Sequence, residues 1–360
     1  MIYFDHNATT PLDERVLQAM LPFLTSFYGN PSGLYKLSRI SRSAIDTARE
    51  QVAQLINARP EHVIFTSGGT EANNLVIKGL QKKTKLLTSA FEHPSILDVS
   101  ERELVAINKQ GYIDQVDLQE KLKRGFDLAS FMLVNNETGV IQDLASLSAL
   151  TRDKSLLIHT DAVQAIGKIP VDFQALGVDF MSLSSHKIYG PKGCGALVGK
   201  LENIQTPLLV GGGQESGLRS GTENVAAIVG FGKAAELAYS ELEQRRSHCL
   251  ALRQRLEAQL SELPDVSIFV QDSQRLANTV QFGVQQCVGE MLLMQLDEKN
   301  IAVSSGSACA SNEHSVSHVL TAMQIDKSIA QSALRVSFGQ SNTLHEVDDF
   351  VQILKKIIDR

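Results

Sequence analysis

The amino-acid sequence predicts an α/β protein in two parts, a large domain on a mostly parallel central sheet and a smaller α+β domain. Three observations carry that reading. Short apolar runs alternate with amphipathic segments through the first two-thirds of the chain, the pattern changes after Gly232, and 360 residues with 43% hydrophobic content suffice for two cores. Strand–helix alternation of this kind belongs to sheets covered by helices on both faces.

The expected strands of the large domain are residues 62–67, 85–90, 131–136, 156–161, 180–185 and 195–199. Between them lie helical patterns. In residues 41–57, Ala44, Ile45, Ala48, Val52, Leu55 and Ile56 share one face. Residues 233–263 contain neither Gly nor Pro and repeat apolar positions at helical spacing. That length implies a hinge within the segment, where the chain leaves the large domain, and Pro264 ends it. The remainder predicts strands at 266–270, 277–284, 301–304 and 334–338, with helices at 290–299, 317–323 and 346–358. The expected division is 14–247 for the large domain, with 1–13 and 248–360 forming the small one.

Composition narrows the class of function. A net charge of −6 without a run of Lys and Arg argues against a phosphate-backbone binder. No apolar stretch is long enough for a membrane helix. The opening Ile2-Tyr3-Phe4-Asp5 lacks the basic segment and apolar core of a secretory signal, so the expectation is cytoplasmic. Four widely spaced cysteines without a CxxC pair predict free thiols rather than a disulfide framework or a zinc site.

Three segments carry chemistry. Val63-Ile64-Phe65-Thr66-Ser67 runs into Gly68-Gly69-Thr70 and a helix start, a geometry that aims free backbone N–H groups at an anion. Taken alone it is an ordinary glycine turn, and it matches neither GxGxxG nor a Walker loop. Asp161 ends the apolar strand 156–161, where a carboxylate is costly unless a cation meets it. Lys187 follows the next apolar strand, and ligands of open α/β sheets collect at such strand ends. A phosphate cradle, a buried acid and a lysine are the parts that pyridoxal phosphate needs: Lys187 for the Schiff base, Asp161 to keep the pyridine nitrogen protonated.

With those residues in hand, the chain resembles the group I cysteine desulfurases, the NifS/IscS type of the class V aminotransferase superfamily. The likeness runs from Tyr3-Phe4-Asp5-His6-Asn7-Ala8-Thr9-Thr10 to about Gly339. It includes Gly29-Asn30-Pro31-Ser32, Glu92-His93-Pro94, Asn135-Asn136-Glu137-Thr138-Gly139, Asp161-Ala162-Val163-Gln164-Ala165, Ser184-Ser185-His186-Lys187, Arg219-Ser220-Gly221-Thr222 and Ser305-Gly306-Ser307-Ala308-Cys309. The resemblance implies a fold type I pyridoxal-phosphate enzyme. Gly69, Thr70, Ser184 and His186 would hold the cofactor phosphate, and Thr222 would serve the partner's site in a homodimer. Asp161 would meet the pyridine nitrogen and Gln164 the ring hydroxyl. His93 would lie over the ring and move protons. Asn136 and Arg335 would bind the substrate carboxylate, for which the planar guanidinium is suited.

Cys309 lies among small residues from Ser304 to Ala310, a composition that predicts an exposed loop. Access and freedom to approach substrate are what a thiolate nucleophile requires. The remaining cysteines, Cys194, Cys249 and Cys287, suit the bland reading of small buried residues. The resemblance implies that Lys187, released by substrate cysteine and neutral at that moment, removes the α-proton. The Cys309 thiolate then takes the substrate sulfur as a persulfide, and alanine leaves. No standing metal site is expected, although Cys309 is a candidate transient iron–sulfur ligand.

The sulfur would pass to an acceptor protein for iron–sulfur cluster assembly or tRNA thiolation. Ser32-Gly33-Leu34-Tyr35 replaces the family's usual Ser-Ser-x-His, which implies a difference at the site entrance or the dimer contact. The chain stops at Arg360, where housekeeping members carry a scaffold-binding tail, so a specialised acceptor stays open. The competing readings are a selenocysteine lyase or related aminotransferase, and a non-catalytic sulfur-relay subunit.

Overall fold

The computed structural model describes residues 1–80, 84–99, 101–151, 156–305 and 316–359. A seven-stranded sheet forms its larger part. With β1 (Ile2–Tyr3) set aside, its strands are β2 (Val63–Thr66), β3 (Leu86–Ser89), β4 (Arg102–Val105), β5 (Leu128–Ser130), β6 (Leu157–Asp161), β7 (Phe180–Ser184) and β8 (Gly195–Gly199). Their order is β2-β8-β7-β6-β5-β3-β4, and β8 alone runs antiparallel to its neighbours. Fully buried, β-branched-rich strands such as Val63-Ile64-Phe65-Thr66 are what a doubly covered sheet demands.

Helices cover both faces. On one, the helix Lys36–Leu55 turns Ile45, Ala48 and Val52 toward Phe231, Ala234 and Ala235 of the helix Val225–Ser240. Small residues let the two axes approach closely: a Cβ on Gly232 would stand 2.6 Å from the Ala48 Cα. On the other face, Leu75, Val76 and Ile77 of the helix Gly69–Gly79 pack over Phe180 and Leu197.

A second sheet, in the order β12-β13-β10-β9, contains β9 (Val266–Ile268), β10 (Thr279–Val284), β12 (Ser304–Ser305) and β13 (Leu334–Ser337). Its core is separate, with Phe282, Leu296, Phe338 and Phe350 buried together. The N-terminus joins this core: β1 pairs in parallel with β11 (Ile301–Ala302), and Phe4 meets Phe338 and Phe350 edge to face. Residues 5–10 then cross to the large sheet, where Thr10 N and Oγ1 both donate to the His186 carbonyl.

Two sequence expectations need adjustment, one strand was not anticipated, and the expected break in the long helix is present. The strand predicted at 131–136 lies instead at Leu128–Ser130. Phe131 and Leu133 still donate to the His159 and Asp161 carbonyls, but the chain then folds into a turn in which the Asn135 carboxamide accepts from the Glu137 and Thr138 N–H groups. Apolarity at 131–134 marks burial rather than the ladder. β4 escapes a pattern search because Arg102 and Glu103 place charge on a sheet edge, where charge is expected. The 301–304 run divides into β11 and β12, which belong to different sheets. The long helix is two, Val225–Ser240 and Leu242–Leu260, broken at Glu241 where the hinge is expected.

Candidate active site

The predicted site residues gather at the carboxyl ends of β6 and β7 and at the start of the helix after β2. That helix begins with Gly69 and has no side-chain cap, so its first N–H groups remain available to an anion. Gly195 of β8 must be small where it crosses this turn, because a Cβ on it would fall 2.6 Å from the Gly68 Cα. A cavity of about 310 Å³ opens in front of the helix, lined by Thr9, Gly69, Thr70, Ser184 and His186 among others. The structure therefore brings together all four residues assigned to phosphate. The His186 ring stands 3.1 Å from the Thr9 hydroxyl, and burial with the nearby lysines 187, 192 and 168 drops its pKa to about 4.

Asp161 ends β6 buried. One of its oxygens accepts from the Asn73 carboxamide at 2.8 Å and the other from the Val163 N–H at 3.0 Å. Among the described residues no cationic side chain pairs with it, so a buried carboxylate is held by neutral donors alone. Such a group is stabilised by a ligand that brings a charged N–H. A protonated pyridine nitrogen meets that requirement, and the uncapped helix start meets the phosphate, so these residues fit pyridoxal phosphate.

His93 caps the short helix Pro94–Leu97 and is tied to Asp161 through a chain that sequence reasoning missed. Asn73 donates to both Asp161 and the Ser95 hydroxyl, and that hydroxyl lies 2.8 Å from His93 Nδ1. The Ser95 N–H donates to the same nitrogen. Nδ1 is thus the acceptor, which leaves the ring proton on Nε2, and Nε2 has no partner among the described residues. Burial holds the imidazole pKa below its ordinary value, with Asp161 opposing and Lys187 assisting.

Lys187 is half-buried, and its Nζ donates to the carbonyls of Asn7 and, at 2.7 Å, Ala8. Gln164 Nε2 donates to the same Asn7 carbonyl at 2.8 Å. Arg335 is buried, donating to the Asn136 carbonyl at 3.0 Å and pairing with Asp5 at 2.6 Å, while its Nε has no partner. The two residues expected to take the substrate carboxylate therefore touch. Thr222 is exposed and absent from the lining of the phosphate cavity. Cys309 lies outside the described residues. Cys194 and Cys249 are buried, and burial raises their thiols to about 12 and 11, which fits the passive role expected of them.

The residues not anticipated are Asn7, Asn73, Ser95 and Lys168. Asn73 was within reach, since it follows Thr70 by three positions and shares its helix face. His159, beside Asp161 in sequence, is buried with a serine hydroxyl on each ring nitrogen. Among the described residues there is no cluster suited to a metal, and no helix is long and apolar enough to cross a membrane.

Comparison with known proteins agrees with this geometry. A family model described as Aminotransferase class-V matches residues 2–350. A cysteine desulfurase IscS of Methanosarcina thermophila is 39% identical over all of this chain and 92% of its own length. Among solved structures, a NifS-like protein from Rickettsia africae superposes with a TM-score of 0.93 at 35% identity, with both chains fully covered. Another, SspA in complex with cysteine, gives a TM-score of 0.83 at 31% identity over 95% of this chain and all of its own.

Proposed function

This chain belongs to the class-V aminotransferase family as a pyridoxal-phosphate-dependent cysteine desulfurase, and from that premise we propose how its residues divide the work. The carrying observation is the shared surroundings of three groups. His93 senses both Asp161 and Lys187, and Lys187 and Gln164 converge on the Asn7 carbonyl. When bound, the cofactor supplies an electron sink that makes the α-proton of cysteine removable.

Around it, the uncapped helix start at Gly69 and Thr70, with Ser184 and His186, holds the phosphate. Asp161 would meet the ring nitrogen, and Gln164 would offer its N–H₂ to the ring hydroxyl. Arg335 and Asn136 hold the substrate carboxylate, for which the unspent Arg335 Nε is a donor in reserve. Lys187 would hold the cofactor aldehyde and would serve as the base for the α-proton. His93 presents Nε2–H for proton delivery. The Cys309 thiolate attacks the substrate sulfur. An S–S bond forms as the Cβ–S bond breaks, the electron pair stays with the carbon side, and protonation there gives alanine.

The domain division at 247/248 and a homodimer belong to the same proposal. Leu34 and Val210 are among the most exposed large apolar side chains, and the Ser220 N–H bonds the carbonyl of Leu209, which precedes Val210. Thr222 follows on that loop, which suits a shared site. The persulfide sulfur goes to an acceptor protein serving iron–sulfur assembly or thiolation, in the cytoplasm.

Borohydride reduction followed by peptide mapping tests the assignment. Wild type should carry the reduced adduct on Lys187. Lys187→Ala should lose the adduct and alanine production, and Cys309→Ser should keep the adduct but lose persulfide. An adduct persisting in Lys187→Ala would overturn the reading.

A further inference from the structure

Lys168 has no part in the division of labour above, yet it stands behind Lys187. Its Nζ donates to Gln164 Oε1 at 2.6 Å and to Asn7 Oδ1 at 2.9 Å. No carboxylate pairs with it among the described residues, and burial, together with the charges of Lys187 and Arg335, drives its pKa well below the ordinary lysine value. Both of its hydrogen bonds are spent on side-chain carbonyl oxygens.

Those two bonds decide which way the neighbouring amides face. An amide flipped end for end would turn Gln164 Oε1 toward the Asn7 carbonyl, two acceptors together, and withdraw the N–H₂ group from the site. Asn7 is fixed in the same manner. Its Oδ1 accepts from Lys168 and from Asn278 at 3.1 Å, and its Nδ2 donates to the Thr279 hydroxyl at 2.9 Å. The Asn7 carbonyl, which receives both Gln164 and Lys187, is thereby held by a donor from the large sheet's side and by residues of β10 and the preceding position.

We propose that Lys168 is a positioning residue for desulfuration, locking the Gln164 amide and Asn7 in the orientation that turns the Gln164 N–H₂ to the site and the Asn7 carbonyl to Lys187. The proposal rests on the pyridoxal-phosphate reading, in which Gln164 meets the ring hydroxyl.

The test uses the purified holoenzymes of Lys168→Met and Lys168→Gln, each also in a Gln164→Ala background, with pH titration of the visible absorption band alongside steady-state kinetics. A ring oxygen without its donor holds the neighbouring imine proton more tightly. Lys168→Met should therefore move the midpoint of the band up by about one pH unit, and lower kcat about tenfold with KM for cysteine within about threefold. Lys168→Gln, which keeps a donor, should recover at least half of the shift, and neither substitution should move the band further once Gln164 is Ala. A Lys168→Met band titrating as wild type, whatever its thermal stability, overturns the proposal, as does a shift that persists without Gln164. Should Lys168→Met fail to fold, Lys168→Gln decides alone: a smaller upward shift abolished by Gln164→Ala supports the role, and no shift or a persistent one rejects it. A wild-type protein without a reducible adduct on Lys187 would instead sink the parent reading.

Discussion

The loop after β3 and the middle of β6 each hold a histidine close enough to sense Asp161, and the two are treated in opposite ways. His159 is buried in the sheet with Ser130 on Nδ1 at 2.8 Å and Ser182 on Nε2 at 2.9 Å, and burial lowers its pKa to about 4. Both nitrogens are spent. His93 spends only Nδ1, on Ser95, and no described residue takes up Nε2. Proximity to Asp161 does not by itself fit a histidine for proton transfer. An uncommitted nitrogen does, because a proton can be moved only through an atom whose hydrogen bond can be exchanged.

The sharpest way to break this contrast is His93→Gln. Losing a positioned proton donor should lower kcat by about 10² to 10⁴, with a melting temperature close to wild type. A loss below about threefold would place His93 with His159 among the structural residues.

His159→Leu should do the reverse. It strands two buried hydroxyls and should cost about 1–3 kcal/mol in denaturant unfolding, while activity per folded holoenzyme stays within about threefold. The pH dependence carries the sign. With a folded pKa of about 4 against an ordinary 6.5, the unfolded chain binds more protons through that window. Stability contributed by neutral His159 is thus intact above pH 6.5 and falls toward pH 4, by about 1.4 kcal/mol per pH unit for this group. His6 and His186, also lowered to about 4, add to the slope. His159→Leu should give a shallower acid decline when unfolding is followed by circular dichroism from pH 7 to 4.5. An unchanged slope would refute the buried-neutral assignment.

Ser95→Ala should have the smallest effect. The backbone N–H still reaches Nδ1, so only the hydroxyl link to Asn73 is lost, and kcat should fall about threefold, with the pH–rate profile displaced. A profile superposing on wild type would mean that the Asn73–Ser95 link does not reach His93.

Much of the site was written in consecutive residues. The glycine turn before Thr70, Asp161 at a strand end and Lys187 after the next strand are each legible because local sequence sets both the residue and its place on the sheet's edge. The apolar run at 131–134 misplaced a strand for the complementary reason: apolarity reports burial, whereas the ladder is set by partners. The hydrogen bonds of Lys168, the amide orientation of Gln164 and the Asn73–Ser95 link were not legible at all. Asn7 and Lys168 are 161 positions apart, and Asn73 and Asp161 are 88. Sequence by itself determined which chemistries sit at the strand ends. Only the tertiary structure decided which way each donor faces, because hydrogen-bond direction depends on partners that folding brings from distant parts of the chain.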